Sequence, residues 1–144
     1  MARISYVKKE GAPQEVAEVY SKMEARGAPV ANLWKIAAHS SSTLLHFIRM
    51  VNALLSKTKR YPKLRELAIL RGASIVDCEY ERKAHSMFGK ELGMTDEQLR
   101  AIGDWEHSKA FNETERAVLR FVDEVVKNVK VKDKTFSELA RHLD

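Results

Sequence analysis

The chain is poor in residues that cross-link a fold or interrupt a helix. Among 144 residues there is one cysteine, Cys78, so no internal disulfide can form. The N-terminal Met1-Ala2-Arg3-Ile4-Ser5-Tyr6 lacks the apolar core of a secretory leader, and together these favour a reducing, cytoplasmic setting. Only three prolines and six glycines punctuate the sequence, and no hairpin signal separates alternating strands. No apolar run is long enough to cross a bilayer. A phosphate-binding glycine loop and a serine-nucleophile elbow are both absent. Charge of one sign is also scarce, with 25 basic against 20 acidic residues and a net charge of +5. The basic clusters at Lys57-Thr58-Lys59-Arg60 and along Lys127 to Lys134 carry no helix-turn-helix, zinc-finger or aromatic-interleaved pattern. They read as solvated turns and helix ends rather than a nucleic-acid surface.

What remains is helical patterning on a chain the size of one domain, 44% hydrophobic. A first helix follows Pro13, with Val16, Val19, Tyr20 and Met23 on one stripe, and Gly27 stops it. A short helix near 31–39 follows. Ser40-Ser41-Ser42 can cap a third, roughly 43–56, whose core face is Leu44, Leu45, Ile48, Val51, Leu54 and Leu55. A fourth, from Pro62 to about Val76, is apolar on nearly every side and is expected to be central. Glu66 and Arg71 are its odd members, and a charge in such a helix needs a partner or a wet cavity. A fifth starts near Cys78, capped by Asp77, and ends at Gly93, with Tyr80, Ala84, Met87, Phe88 and Leu92 as its apolar sector. Thr95 and Gln98 form a capping box. Asn112-Glu113-Thr114-Glu115 opens a long helix with the stripe Val118, Phe121, Val122, Val125 and Val129. A last turn or two spans 136–143. The expectation is one all-α domain, 1–144, of about six to eight helices with no sheet.

The chemistry-bearing spacing is Cys78, Glu81 and His85, at i, i+3 and i+7. At about 100° per residue these project into one sector of a helix. A thiol, a carboxylate and an imidazole on one stripe can exchange protons, and Glu66 on the preceding helix can lean into the same space. The i, i+4 relation lets Glu81 orient His85 as a general base or acid. It also fits a plain helix-stabilising pair worth about 0.2–0.5 kcal/mol. Glu66 reads equally as a proton shuttle or as half of a structural ion pair. Three-ligand metal binding is disfavoured, because Cys78 and His85 lie about 10 Å apart along the helix. Only Glu81 with His85 remains as a ligand fragment, and nothing calls for a cofactor.

The stretch from about 32 to 102 resembles the carboxymuconolactone decarboxylase family, which includes alkyl hydroperoxidase D. The resemblance is carried by Leu64-Arg65-Glu66-Leu67-Ala68-Ile69-Leu70-Arg71, Cys78-Glu79-Tyr80-Glu81, His85 and Gly93-Met94-Thr95, with Asn32-Leu33-Trp34 and Ala38-His39-Ser40 upstream. It implies an alkyl hydroperoxidase D-like helical bundle that assembles as a homo-oligomer, a trimer or hexamer, with sites near subunit contacts. It places the relay glutamate at Glu66, the first cysteine of the Cys-x-x-Cys pair at Cys78 and the histidine at His85. The second cysteine position is Glu81, so the family's disulfide cannot form. Against the decarboxylase branch, Glu79-Tyr80-Glu81 and His85 match, while Arg82 and Ala84 replace a tryptophan and a histidine.

Three functions follow as expectations. The first is a single-cysteine, peroxiredoxin-type peroxidase at Cys78 with a Glu66/His85 proton relay and an external thiol or dithiol as reductant. The second is a cofactor-free decarboxylase or isomerase using Glu81 and His85 on a small carboxylated lactone or keto acid. The third is a non-catalytic oligomeric binding module. In the enzymatic readings Arg71, Tyr80 and Arg82 are candidates for binding the small-molecule substrate, Arg71 or Arg82 through a carboxylate. No nucleic acid or membrane partner is expected.

Overall fold

The computed structural model describes residues 2–57 and 60–143. Thr58 and Lys59 of the first basic cluster lie outside these residues. The chain is all-helical, with no strand among the described residues, and divides into two compact units, Met1–Lys59 and Arg60–Asp144.

In the first unit α1 (Gln14–Glu24) follows Pro13, whose fixed φ of −51° sets the chain up for the helix. After it come α2 (Asn32–Ala37) and α3 (Ser41–Asn52), the latter continuing as a π-helical turn over Ala53–Lys57. The core is Val16, Tyr20, Ala38, Leu44 and Ile48. The Tyr20 hydroxyl donates to the carbonyl of Val7 at 3.2 Å, which satisfies its one polar atom at the edge of that core. The buried stripe of α3 is narrower than its sequence suggests. Leu44 and Ile48 are buried, but Leu45, Leu54 and Leu55 are exposed. With only two short helices to pack against, α3 can cover one row of side chains, and the wider apolar face stays open.

The second unit is built around α4 (Pro62–Ile75), which packs on α5 (Glu79–Glu91) and α7 (Glu113–Asn128). Burial on both sides explains a helix that is apolar nearly all round. Between α5 and α7 lie α6 (Asp96–Ala101) and a 3₁₀ turn, Ile102–His107; α8 (Asp133–Ala140) packs on α7. The core comprises Leu67, Leu70, Met94, Ile102, Trp105, Phe111, Val118, Leu119 and Val122. Both capping boxes form, Thr95 with Gln98 and Asn112 with Glu115. The two are tied together, because Gln98 Nε2 donates to Glu115 Oε2 at 3.0 Å and Glu115 also pairs with Lys63 at 2.8 Å.

Three details depart from the sequence reading. The cap of α5 is Cys78, not Asp77. Asp77 instead has φ +52°, with the Cys78 N–H donating to the Ala73 carbonyl at 2.8 Å and the Asp77 N–H to that of Ser74 at 3.4 Å. This is a Schellman turn with Asp77 in the left-handed position usually held by glycine. The α7 stripe ends early: Val118 and Val122 are buried, but Val129 is 91% exposed at the helix C-cap, with φ +54°. Finally, α8 starts three residues before the expected 136. Glu124 accepts the Lys132 N–H at 2.7 Å and the Thr135 hydroxyl at 2.9 Å, which fixes its first turn.

Candidate active site

Glu66 lies within α4 and is 2% exposed. A buried carboxylate has to be satisfied, and here both oxygens are. Arg65 Nε donates to Oε1 at 3.1 Å, and His85 Nδ1 lies 2.6 Å from Oε2. The other ring nitrogen, His85 Nε2, lies 3.2 Å from Glu81 Oε2, one turn back along α5. The His85 side chain is 14% exposed and that of Glu81 37%, so the group runs from the buried face of α4 towards solvent. Phe88 meets the imidazole edge-on, at 5.8 Å between ring centres.

This arrangement constrains the protons. An ionised carboxylate only accepts, and a neutral imidazole has a single N–H. The Glu66–His85 contact is a hydrogen bond and needs one proton between the two groups, whereas the Glu81 carboxylate faces the other ring nitrogen at ion-pair distance. A buried carboxylate and a half-exposed one are thereby linked through a single ring.

Cys78, half-buried, precedes the first residue of α5. Its carbonyl accepts the Arg82 N–H at 3.1 Å. It is the N-cap, with extended backbone (φ −88°, ψ 92°), three residues before Glu81 and seven before His85. The structure thus brings Glu66, Glu81 and His85 together, through one hydrogen bond and one ion-pair contact, with Cys78 at the N-cap of α5.

The three candidate substrate-binding residues have different surroundings. Arg71 is buried, and four of its N–H groups are occupied: Nε and Nη2 on the two oxygens of Asp123, and Nη1 on the carbonyls of Ile102 and Gly103. Asp123 also accepts from Trp105 Nε1 at 3.3 Å and from Lys127 at 3.0 Å. Burial pushes the Asp123 carboxyl up, but the hydrogen bonds from Arg71, Lys127 and Trp105 outweigh it and hold it below its ordinary value. Arg82 pairs with Asp77 at 2.9 Å across the turn that presents Cys78. Tyr80 is exposed on the first turn of α5.

Arg65, the adjacent cation available to Glu66 in the sequence, and Phe88, which does not stand out from spacing, complete the surroundings of the site. Neighbours at i, i+1 on a helix do not face each other, so the Arg65–Glu66 contact depends on the length of the arginine side chain. Phe88 reads as core from its place in the apolar sector. Among the described residues no group of three or more His, Cys, Asp or Glu could hold a metal ion. Nor is any described helix long and apolar enough to cross a membrane.

Two examples represent the solved structures that share the fold. One is an uncharacterized peroxidase-related protein from Silicibacter sp. TM1040, with TM-score 0.79 and 18% identity, covering 96% of this chain and 74% of that one. The other is a protein of unknown function from Agrobacterium tumefaciens, proposed to be the antioxidant defence protein AhpD. It has TM-score 0.67 and 23% identity, covering 76% of this chain and 75% of that one. No curated protein matches the sequence. The sequence model of the carboxymuconolactone decarboxylase family matches residues 43–124, more than half of the chain and the whole of the Glu66–Glu81–His85 group. With that match and an all-helical fold shared with AhpD-like and peroxidase-related structures, the chain belongs to the carboxymuconolactone decarboxylase family.

Proposed function

We propose that this chain is a small-molecule enzyme that reduces peroxides at Cys78, with Glu66, His85 and Glu81 moving the protons. The observation that carries the reading is the imidazole held between two carboxylates, one buried and one open, on the helix whose N-cap is Cys78. The descriptions of the two structural neighbours as peroxidase-related and as an antioxidant defence protein agree with it.

The chemistry balances without a second cysteine. Cys78 sulfur attacks the terminal oxygen of a hydroperoxide; an S–O bond forms and the O–O bond breaks. The thiol proton passes to the Glu81–His85 group, which returns a proton to the departing alkoxide. The products are a sulfenic acid and an alcohol. One external thiol then displaces water to give a mixed disulfide. A second thiol releases Cys78 and leaves as the oxidised disulfide. Tyr80 and Arg82, on the first turn of α5, are the side chains placed to meet the substrate.

The outer face of α5 carries Tyr80, Met87 and Phe88, all exposed, and Phe88 abuts His85. Such an apolar strip beside the site supports assembly as a homo-oligomer.

The test is consumption of hydrogen peroxide and an organic hydroperoxide under excess dithiothreitol, comparing the native chain with Cys78→Ser and His85→Asn. Loss of the rate in Cys78→Ser and a strong reduction in His85→Asn is the expected result. A rate that survives Cys78→Ser overturns the proposal. A second reading is favoured by the direct Glu81–His85 contact: a cofactor-free decarboxylase or isomerase acting on a small lactone or keto acid. It predicts turnover of such substrates that tolerates Cys78→Ser and disappears in His85→Asn.

A further inference from the structure

The first unit contains a cleft that the chemistry above does not use. It lies between α1 and α3, has a volume of about 650 Å³, and is partly outside the family match. That volume is within the range of about 300–1,000 Å³ typical of small-molecule sites. Its apolar lining comes from Val19 and Met23 of α1 and from Leu44, Leu45 and Ile48 of α3. Leu45 is 39% exposed at its lip.

Three cations also line the cleft: Lys22 and Arg26 on the α1 side and Arg49 on α3. Among the described residues none of them has a carboxylate within ion-pair distance. Glu24, on the last turn of α1, pairs with Lys9 at 2.6 Å and does not line the cleft. Glu18, four residues before Lys22, does line it and accepts from Gln14 Nε2 at 3.0 Å. Arg26 lies two residues beyond the end of α1 at Glu24. Basic residues near helix C-termini complement the helix dipole, which accounts for their place along the helices. It does not account for an open apolar lining beside them. Glu15 and Glu18 are also in the lining; Glu18 stands one turn from Lys22, so the cations left to receive an anion are Arg26, eight residues beyond Glu18, and Arg49 on α3.

We propose that this cleft binds an amphipathic carboxylate, such as a medium-chain fatty acid, with its chain on the Val19–Met23–Leu45–Ile48 surface and its head group on the cations. Arginine suits this head group because its planar fork matches a carboxylate's two oxygens. The site is independent of Glu66 and Cys78, and its test does not depend on peroxide chemistry.

The test is isothermal titration of the full chain with decanoate, below its micelle concentration, against decan-1-ol and acetate. A parallel titration uses Arg26→Gln/Arg49→Gln. Both positions are exposed, and an unchanged melting curve for the variant confirms that it folds. Saturable decanoate binding that weakens about ten-fold or more in the variant supports the site, a loss in keeping with removal of one charge-assisted contact. Decan-1-ol, lacking the charge, should bind weakly and equally to both proteins, and acetate, lacking the chain, to neither. Met23→Gln should weaken decanoate while leaving its salt dependence intact. Absence of saturable binding, equal binding of decanoate and decan-1-ol, or full affinity in the double variant would each overturn the assignment. A cleft occupied by a second copy of the chain would give the first of these.

Discussion

Arg71→Met separates a structural arginine from a substrate-binding one. In the native chain the Arg71 guanidinium joins α4 to Asp123 on α7 and to two carbonyls of the 3₁₀ turn. Methionine keeps much of the volume and adapts to irregular space, so the cavity contribution is small. The electrostatic one is not. Removing one member of a buried ion pair costs about 3–5 kcal/mol, because the remaining charge stays buried. Asp123 would keep Lys127 and Trp105, which places the expected loss near the lower end, about 3 kcal/mol. With a urea slope near 2 kcal/mol per M, the unfolding midpoint falls by roughly 1.5 M. Trp105, buried and bonded to Asp123, offers a fluorescence signal within the affected region. Replacing both partners, as Arg71→Met/Asp123→Leu, should recover most of the loss, since an apolar pair of similar size leaves no orphaned charge. A loss below about 1 kcal/mol in the single variant would refute the reasoning. So would a normal midpoint combined with a raised KM, which would make Arg71 a substrate ligand.

Other predictions follow from the same geometry. Val129→Gly should stabilise the chain by about 1 kcal/mol, read by calorimetry, because it relieves a β-branched residue at φ +54° whose side chain is nearly all in solvent; an unchanged or lower melting temperature would contradict this. Gln98→Ala keeps the Thr95 cap but removes the reciprocal bond from the Thr95 N–H and the bonds to Ala110 and Glu115, so a loss of about 2 kcal/mol is expected in urea. The Asp123 carboxyl is held below its ordinary value, so its contribution is present above the unfolded-state value of about 4 and is lost as pH falls through the lower folded-state value. Urea midpoints measured below about pH 4 should therefore fall more steeply for the native chain than for Arg71→Met/Asp123→Leu. Parallel slopes would remove Asp123 from the acid transition.

The helical order of the chain was legible because it is written locally. Pro13, the Thr95 and Asn112 capping boxes and the all-round apolar α4 each act within a turn or two of sequence. Glu66, Glu81 and His85 were legible for a related reason: one helix spacing and one odd charge in an apolar helix brought them to notice. What was missed depends on the third dimension. Nothing at short range says that Arg71 finds Asp123, 52 residues away. The outward-facing Leu54 and Leu55 of the π-helical turn after α3, and Met87 and Phe88 of α5, show a related limit. A hydrophobic stripe records that a face is to be covered, but not by which part of a fold or assembly.

The three-residue turn Val76-Asp77-Cys78 has a consequence for the order of folding. Glu66 and His85 are only 19 residues apart, and the turn between their helices is closed by backbone bonds to Ala73 and Ser74. Closing so short a loop costs little entropy, and local contacts of this kind form quickly. The proton-handling group thus belongs to a helical hairpin that can assemble ahead of the rest of its unit. Pulse-labelled hydrogen exchange should find the amides of α4 and α5 protected before those of α8, which must wait for Glu124 on α7 to receive its first turn.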